Sequence, residues 1–400
     1  MRASIDWGRE SIELEIPDAN LIPGRRAETA PNIADFSQAV QQALENPLDY
    51  PPLRRALTPD DRVAIVVDEG IPHLPELLVP LLEHIVQANV RPEAISLVCG
   101  SPSTGQPWLE ELPDAFQDVH VEVHQPADRK QLAYVATTKA GRRVYLNRTA
   151  VDADQLVVLT RRRYDPRLGY GGAELAVYPG LEGAATIDEF SGRFNSATPG
   201  EPWPVQAEAR EVVWLSGAPF FVQVIEGAGD AIAHILAGPL ESSDAGQRLL
   251  DARWRVSFDR RADVVIAGIS GLTVSMEDLA RAAFAATRVV NAGGNIVLLS
   301  DGTPMLGPAF EFFRRHDDPA LARRLLLKEK LVDLAAGYMW ASAAGHAKLY
   351  LLSGLPADVA EEIFAVPMQH ASQAQRLVTG DASVILLPDA HRSLAVATHA

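Results

Sequence analysis

The chain has 400 residues, of which 47% are hydrophobic and 22% charged, so a disordered or collagenous chain is excluded. Its 52 Asp and Glu outnumber 36 Lys and Arg, and the net charge of −16 argues against nucleic acid or a membrane surface as a general partner. The one cysteine, Cys99, excludes a disulfide framework and a cysteine-rich metal site. The N-terminus lacks the apolar stretch of a signal peptide and no apolar run could span a membrane, so we expect a cytoplasmic location.

Buried strands alternate with helical segments from residue 62 onward. Residues 62–68 and 94–99 are β-branched apolar runs typical of strands covered on both faces, and a helical period of leucines separates them. This β-α-β pattern predicts that the two strands are parallel. A hairpin is predicted over 133–147, and 155–160 repeats the buried-strand pattern.

A strand pair is predicted over 219–225 and 231–237, and a second β/α series follows it. The predicted strands and helices of that series cover 262–267, 275–290, 294–300, 308–315, 319–337, 347–353, 357–365 and 382–388. The fold class is therefore α/β, with mixed sheets flanked by helices. We expect a first domain over residues 1–255 and a second over 260–375.

No metal site is expected from the spacing of histidines. His120 and His124 are four residues apart on a predicted strand, which separates them by about 13 Å at ~3.3 Å per residue. One ion cannot bridge that distance, so we interpret both as solvated strand residues.

A cluster of four arginines crowds the end of the strand at 155–160: Arg161, Arg162, Arg163 and Arg167. Two interpretations remain open, a solvated loop with salt bridges or a clamp that binds a carboxylate or phosphate through paired N–H donors. Gly171 and Gly172 follow the cluster. They allow the backbone to approach a ligand closely, or form a tight turn.

The loop Gly100-Ser101-Pro102-Ser103-Thr104 follows the strand at 94–99, at the carboxyl end where open α/β sheets bind ligands. Its small residues suit either a ligand or a plain turn. Ser101, Ser103 and Thr104 are candidates for contact with a substrate.

Residues 153–180 resemble the corresponding segment of the nickel-dependent lactate racemase family. The shared positions are Ala153-Asp154, Gly169, Gly172, Val177 and Pro179-Gly180. Further matches lie at Glu45-Asn46-Pro47, Thr186-Ile187, Ser191-Gly192, Phe194 and Gly293-Gly294-Asn295-Ile296-Val297. The resemblance implies a two-domain, lactate-racemase-like architecture with an inter-domain cleft between 60–255 and 260–375. It also implies that residues 380–400 rejoin the first domain.

The resemblance also implies a cofactor, which this sequence does not accommodate in the family's way. In the family, a covalently tethered nickel pincer nucleotide takes a hydride from the α-carbon of lactate, a lysine bonds the cofactor and a histidine ligates nickel. Here that lysine falls at Leu175, or at Glu174 if the register shifts by one, and that histidine falls at Phe190. Leucine has no amine and phenylalanine is no metal ligand, so we expect neither covalent attachment nor a metal site.

The two histidines that act as acid and base in the family are also replaced. The family's D-H-T-R-P is Asp68-Glu69-Gly70-Ile71-Pro72 here, and the shortened loop after Gly100 contains no histidine. The second catalytic histidine falls at Asp165. A lysine lining the family's site falls at Arg281, which keeps the positive charge.

Three hypotheses follow for the function. The first is a diverged enzyme that acts on or binds a small 2-hydroxy acid or sugar acid, with Asp165 or Glu69 moving a proton. Its substrate-binding residues would be Arg161, Arg163, Arg167, Arg281, Asp68, Ser101, Ser103 and Thr104, with Gly171 and Gly172 close to any cofactor. The second is a non-catalytic, anion-binding or regulatory paralogue. The third is a protein that binds the nickel pincer without a covalent bond.

Overall fold

The structure is a computed structural model, which describes residues 2–27, 31–100, 106–166, 169–191, 194, 204–217, 219–271 and 273–399. The chain divides into two units. We call the first the terminal unit, which comprises Met1–Thr29, Ala228–Asp230 and Asp251–Ala400. We call the second the central unit, which comprises Ala30–Gly227 and Ala231–Leu250.

The strands, in chain order, are β1 (Arg2–Trp7), β2 (Glu10–Glu15), β3 (Val63–Val67), β4 (Ile95–Cys99), β5 (His120–Val123), β6 (Leu132–Thr137), β7 (Arg143–Asn147), β8 (Gln155–Arg161), β9 (Arg163–Asp165), β10 (Gly169–Gly171), β11 (Phe220–Glu226), β12 (Ile232–Gly238), β13 (Arg255–Arg260), β14 (Ala262–Gly268), β15 (Val290–Leu299), β16 (Lys348–Leu352), β17 (Ala365–Pro367), β18 (Val384–Leu387) and β19 (Leu394–His399).

The α-helices are α1 (Phe36–Glu45), α2 (Leu53–Ala56), α3 (Leu74–Val86), α4 (Arg148–Asp152), α5 (Glu174–Val177), α6 (Ala184–Ser191), α7 (Pro204–Leu215), α8 (Ser242–Trp254), α9 (Met276–Thr287), α10 (Pro308–Phe313), α11 (Pro319–Leu326), α12 (Leu334–His346) and α13 (Ala357–Glu362). Short 3₁₀ turns cover Pro92–Ala94, Pro107–Glu111, Asp114–Phe116, Arg129–Gln131 and Ala371–Leu377. Among the helices that the described ranges contain, none combines the length and the apolar character needed to cross a membrane.

The central unit is built on a six-stranded sheet in the order β12-β11-β8-β3-β4-β5. All neighbours in it are parallel except β11 and β12, so the predicted parallel pairing of β3 and β4 is confirmed. Every residue of β3 is buried, because its alternate side chains enter two different cores. Val63, Ile65 and Val67 pack with the leucines of α3, whereas Ala64 and Val66 pack with α5 and α7. A strand covered on both faces has a continuous apolar sequence for this reason.

The predicted hairpin is confirmed as β6 and β7, which pair antiparallel with Tyr134 opposite Tyr145. The interpretation of His124 as a solvated residue is wrong. His124 lies just after β5 and is buried, with its Nε2 atom 3.0 Å from the Glu182 carbonyl oxygen. Burial lowers the pKa of His124, so its ring is a neutral part of the core. His120 is exposed, as expected.

The terminal unit has a five-stranded parallel sheet in the order β17-β16-β15-β14-β18. The helix predicted over 319–337 is two helices, α11 and α12. Helix α11 ends at Leu326, and the charged run Lys328-Glu329-Lys330 lies on the surface between the two. Apolar residues occur on both sides of that run, which is why the sequence pattern indicated one long helix.

The division of the chain differs from the predicted domains at both ends. The hairpin of β1 and β2 belongs to the terminal unit, because Ile5, Trp7 and Leu14 pack with Val264 and Ile266. The segment 380–400 also lies in the terminal unit, where Val384 forms a parallel bridge with Leu21 of the N-terminal segment. Its strands form parallel pairs within that unit, β18 with β14 and β19 with β13.

Helix α3 gives a test of the central core. Leu81 has no exposed surface and packs under the sheet, so Leu81→Ala should lower the free energy of unfolding by about 2–5 kcal/mol. Leu48 is 41% exposed, and Leu48→Ala should cost less than about 1 kcal/mol. Urea unfolding followed by circular dichroism measures both. Equal losses in the two variants would contradict this packing.

Candidate functional site

A cavity of about 350 Å³ lies in the central unit, at the carboxyl ends of β3 and β8. Ligands of open α/β sheets bind at this edge. Its polar lining comes from Asp68, Thr160, Arg163 and Asp165. The other lining residues are glycine, proline or apolar: Val66, Val67, Gly100, Leu159, Gly171, Gly172, Leu175, Ala176, Pro179, Gly180, Leu181, Ile187 and Phe190.

Arg163 and Asp165 line this cavity together because they lie two residues apart on β9, where alternate side chains point to the same side. Strand β9 pairs antiparallel with β10, which places Arg163 opposite Gly171. A Cβ atom on Gly171 would come within 3.2 Å of the Arg163 side chain, so the glycine leaves room for the arginine. Asp165 is 5% exposed, and its carboxyl group is therefore shielded from bulk water.

Gly172 is required for a second reason, its backbone conformation. Its φ of +82° lies in the region that side chains rarely adopt, and a Cβ atom there would lie 2.2 Å from the Arg161 carbonyl oxygen. The turn after β10 can therefore pass against the end of β8 only with glycine at this position. The sequence left a ligand contact and a tight turn open, and Gly172 forms a tight turn that also lines the cavity.

Asp68 and Arg161 form an ion pair beside the cavity. The Arg161 Nε atom lies 3.2 Å from Asp68 Oδ2, and the Gly70 carbonyl oxygen accepts a second bond from Arg161 at 2.7 Å. Burial raises the pKa of Asp68, but the positive charges of Arg161 and Arg163, together with hydrogen bonds from the Gly70 and Arg161 backbone N–H groups, outweigh it and hold the pKa below its usual value. Asp68 is therefore a carboxylate at neutral pH.

Arg162 turns the opposite way and is fully buried. Its Nη2 atom lies 3.4 Å from Glu174 Oε2, and neither side chain has more than 1% exposure. Gln223 Oε1 accepts from Arg162 Nε at 2.7 Å, and the Ser243 carbonyl oxygen accepts from Nη2 at 2.8 Å. The three described arginines of the predicted cluster thus have different roles: Arg162 is a buried structural cation, Arg161 is paired with Asp68 beside the cavity, and Arg163 lines the cavity.

The side chains at the positions of the family's cofactor ligands do not fit a cofactor held by lysine and histidine. Leu175 and Phe190 both line the cavity, are at most 6% exposed and carry no nitrogen in their side chains. The Glu174 carboxylate already accepts hydrogen bonds from the Arg162 guanidinium and the Ser243 hydroxyl. Neither lysine nor histidine occurs among the described residues that line the cavity. Across the described ranges, no group of three or more His, Cys, Asp or Glu could hold a metal ion.

Two further predicted residues are not among the described residues that line this cavity. The Glu69 Oε1 atom accepts a hydrogen bond of 3.1 Å from the Trp108 indole. Arg281 lies on α9 of the terminal unit, where its Nη2 atom is 2.6 Å from Glu277 Oε1 one helical turn away. Arg167, Ser101, Ser103 and Thr104 lie outside the residues that the structure describes.

The neighbouring thiol is chemically inert. Cys99 ends β4 and is buried, and burial together with the charge of Glu69 raises its pKa to about 12. A thiol in that state is a poor nucleophile near neutral pH.

Sequence reasoning missed two features of the site. Thr160 lines the cavity, but it ends an apolar strand run and gave no separate signal. The buried pair of Arg162 and Glu174 was also missed, because the two residues are 12 apart in sequence and only the fold shows that both are removed from water.

We expect the buried ion pair to show a strong asymmetry between single and double substitutions. Arg162→Met leaves the Glu174 carboxylate buried without its cation, and should lower the free energy of unfolding by about 3–5 kcal/mol. The double variant R162M/E174M removes both charges, so its free energy of unfolding should fall by less than that of R162M. Arg55→Met, at an exposed arginine, is the matched control. A double variant less stable than R162M would show that the charges are not coupled.

The lowered pKa of Asp68 predicts a specific pH dependence. A carboxyl group with a lower pKa in the folded than in the unfolded chain stabilises the fold above the unfolded pKa of about 3.9, and this contribution disappears as pH falls through the folded pKa. The stability difference between wild type and Asp68→Asn should therefore be full at pH 7 and shrink below about pH 4. Unfolding by urea at several pH values measures it, with exposed Asp60→Asn as control. A difference that grows on acidification would contradict the assigned ion pair.

Comparison with known proteins agrees with this architecture. Residues 7–197 match the lactate racemase N-terminal domain. The lactate racemase of Thermoanaerobacterium thermosaccharolyticum is 19% identical over 414 residues, covering 96% of this chain and 97% of that protein. The structure of the lactate racemase apoprotein from the same organism matches 99% of this chain and 100% of that chain with a TM-score of 0.81 at 17% identity.

The crystal structure of a protein from Thermotoga maritima has a TM-score of 0.63 at 12% identity, over 92% of this chain and 99% of that chain. At such identities the structural likeness establishes the fold, and the predicted α/β, lactate-racemase-like class is confirmed. The domain match over residues 7–197, the similarity along nearly the whole sequence and the shared fold together support placing this chain with the lactate racemases.

Proposed function

We propose that this protein is a diverged lactate racemase family member that binds a small 2-hydroxy acid or sugar acid and isomerises it by proton transfer. The observation that carries this proposal is the placement of Arg163 and Asp165 in one cavity of about 350 Å³. A guanidinium beside a shielded carboxyl group is a pair that can hold a carboxylate and move a proton.

Arg163 is the group proposed to bind the carboxylate of the ligand. Its partner at the rim, Arg161, is committed to Asp68 and to the Gly70 carbonyl oxygen. The planar guanidinium presents two parallel N–H donors to two carboxylate oxygens, which fixes the orientation of the acid. Thr160 and Asp68 line the same cavity, where they can bond the ligand's hydroxyl groups.

Asp165 is the proposed proton acceptor. Removing the proton from the α-carbon moves its electron pair into the carboxylate, which becomes an enediolate with two negative oxygens. Arg163 would stabilise that charge as it develops. A water molecule then gives a proton to the opposite face of the α-carbon, and the hydroxide that it leaves takes the proton from Asp165, which yields the other stereoisomer and restores the carboxylate.

The proposal includes no covalently tethered nickel pincer. This omission is supported by the chemistry of Leu175, Glu174 and Phe190, which provide neither an amine for a covalent bond to the cofactor nor an imidazole for the metal. A small anion is accordingly the proposed partner, and the cytoplasm the proposed location. Arg167, Arg281, Ser101, Ser103, Thr104 and Glu69 remain predictions as contributors to the site.

A second candidate is a paralogue that binds the anion without turnover. The observation favouring it is that no histidine lines the cavity among the described residues, so an acid and base with a pKa near neutrality are not evident. Both candidates require Arg163 for binding, and they differ in whether the α-carbon reacts.

Substitution at the cavity should separate binding from reaction. Titration calorimetry against 2-hydroxy acids and sugar acids should show one ligand whose affinity falls about tenfold or more in Arg163→Ala, because a charge-assisted bidentate contact is lost. Asp165→Asn should retain binding while isomerisation falls at least ~100-fold. Proton NMR in deuterated water measures the reaction, since proton transfer replaces the α-proton with deuterium.

Arg91→Ala removes an exposed arginine of the same unit and is the control. Binding without isomerisation would favour the paralogue. Isomerisation that retains the α-proton would contradict proton transfer by Asp165, and an affinity unchanged in Arg163→Ala would contradict both candidates.

A further inference from the structure

A second cavity, of about 890 Å³, lies in the central unit against the outer face of the hairpin formed by β6 and β7. Its volume is within the range of sites that hold small molecules. We call it the hairpin cavity. Its lining residues are Pro126, Ala127, Arg129, Leu132, Ala133, Tyr134, Arg143, Tyr145, Arg148, Glu182, Gly183, Ala184, Ala185 and Thr186. None of them lines the cavity that contains Arg163.

Two tyrosine rings form an aromatic wall of the hairpin cavity. Tyr134 and Tyr145 are cross-strand neighbours, with ring centroids 5.6 Å apart at an interplanar angle of 61°. They are 54% and 38% exposed, although large aromatic side chains are usually buried where they serve only the core. Such rings provide π faces on which a planar ring can stack.

Three arginines supply positive charge to the same cavity. Arg143 precedes Tyr145 by two residues on β7 and therefore points to the same side of the hairpin, and Arg129 lies on a short 3₁₀ turn. Both are exposed. Arg148 is oriented by the Lys130 and Leu132 carbonyl oxygens, which accept from its Nε and Nη2 atoms at 3.0 and 2.9 Å.

The one carboxylate among the lining residues named, Glu182, is already bonded within the protein. Its Oε1 atom accepts from the Tyr145 backbone N–H at 3.0 Å, and its Oε2 atom accepts from the Gly183 N–H at 2.8 Å. These bonds hold the Glu182 side chain in the wall of the cavity. The lining residues therefore carry three positive charges, on the arginines, and one negative charge, on Glu182. A concentration of cations of this kind stands out in a chain with a net charge of −16.

We propose that the hairpin cavity binds a small ligand that carries both a planar ring and a phosphate group, the chemistry of a mononucleotide. The ring stacks on Tyr134 or Tyr145, and Arg143 and Arg129 bind the phosphate oxygens through their guanidinium groups. This site shares no side chain with the one proposed for the 2-hydroxy acid, so each can be tested without the other.

Titration calorimetry with AMP and ATP, using adenosine and ribose 5-phosphate as fragments, tests the proposal on the full chain. A nucleotide should bind at least about tenfold more tightly than either fragment, because each fragment keeps only one of the two contacts. Arg143→Ala should weaken nucleotide binding about tenfold or more. The affinity of Arg143→Lys should lie between those of wild type and Arg143→Ala, because lysine keeps the positive charge but lacks the paired N–H donors of the guanidinium. The double variant Y134A/Y145A should weaken the nucleotide and leave ribose 5-phosphate unchanged.

Lys139→Ala removes an exposed cation from the turn of the same hairpin and is the matched control, with no expected change. The substituted side chains are exposed, and an unchanged melting temperature verifies that each variant folds. The proposal is overturned if nucleotides fail to bind at millimolar concentration. It is equally overturned if Arg143→Ala binds as wild type does, or if ribose 5-phosphate binds as tightly as AMP.

Discussion

The guanidinium of Arg162, buried with the Glu174 carboxylate, is the interaction on which the geometry of the central unit depends. A charge removed from water needs compensation on every side, and here it comes from separate elements. Gln223 contributes from β11, Ser243 from α8, and the carbonyl oxygens of Gly171 and Gly172 lie 3.4 Å from Nη1. One side chain thus joins the central sheet to the glycine turn and two helices.

This constraint also determines where the neighbouring residues point. Strand alternation makes Arg161 and Arg163 turn away from the side that Arg162 occupies. Asp165 follows Arg163 on the same side, and Gly171 leaves the space through which the Arg163 side chain passes. The chemistry proposed for the cavity therefore rests on a structural ion pair that has no contact with the ligand.

Most strands of the two main sheets were predictable because they are covered on both faces. The short edge strand β17, with an exposed Val366, was not predicted. A strand such as β3 has to be apolar at every position, and that is a signal a single sequence displays. The hairpin of β1 and β2 carries a weaker signal, since in β1 only Ala3, Ile5 and Trp7 are buried, between exposed polar residues, and in β2 only Leu14 is buried. Its place in the terminal unit depends on a core partner more than 250 residues away, which no local pattern indicates.

The candidate site was predictable in part. Arg163 was identified from the arginine cluster at the end of a buried strand, and Asp68 and Asp165 from the family positions that they occupy. The structure places all three around one cavity. The role of Arg162 was not predictable, because burial of a charge is a property of the folded chain and three adjacent arginines look alike in sequence. Glu69 was selected because it stands at the position of one of the family's catalytic histidines, and its Oε1 atom accepts a hydrogen bond from the Trp108 indole.

One short stretch of backbone forms part of both cavities. Pro179, Gly180, Leu181 and Ile187 border the cavity of Arg163, and Glu182 to Thr186, which lie between them in sequence, border the hairpin cavity. Any coupling between ligands at the two cavities would have to act through a change of this nine-residue segment, since the cavities share no lining side chain. Thermodynamic linkage would make such a coupling free energy equal in both directions.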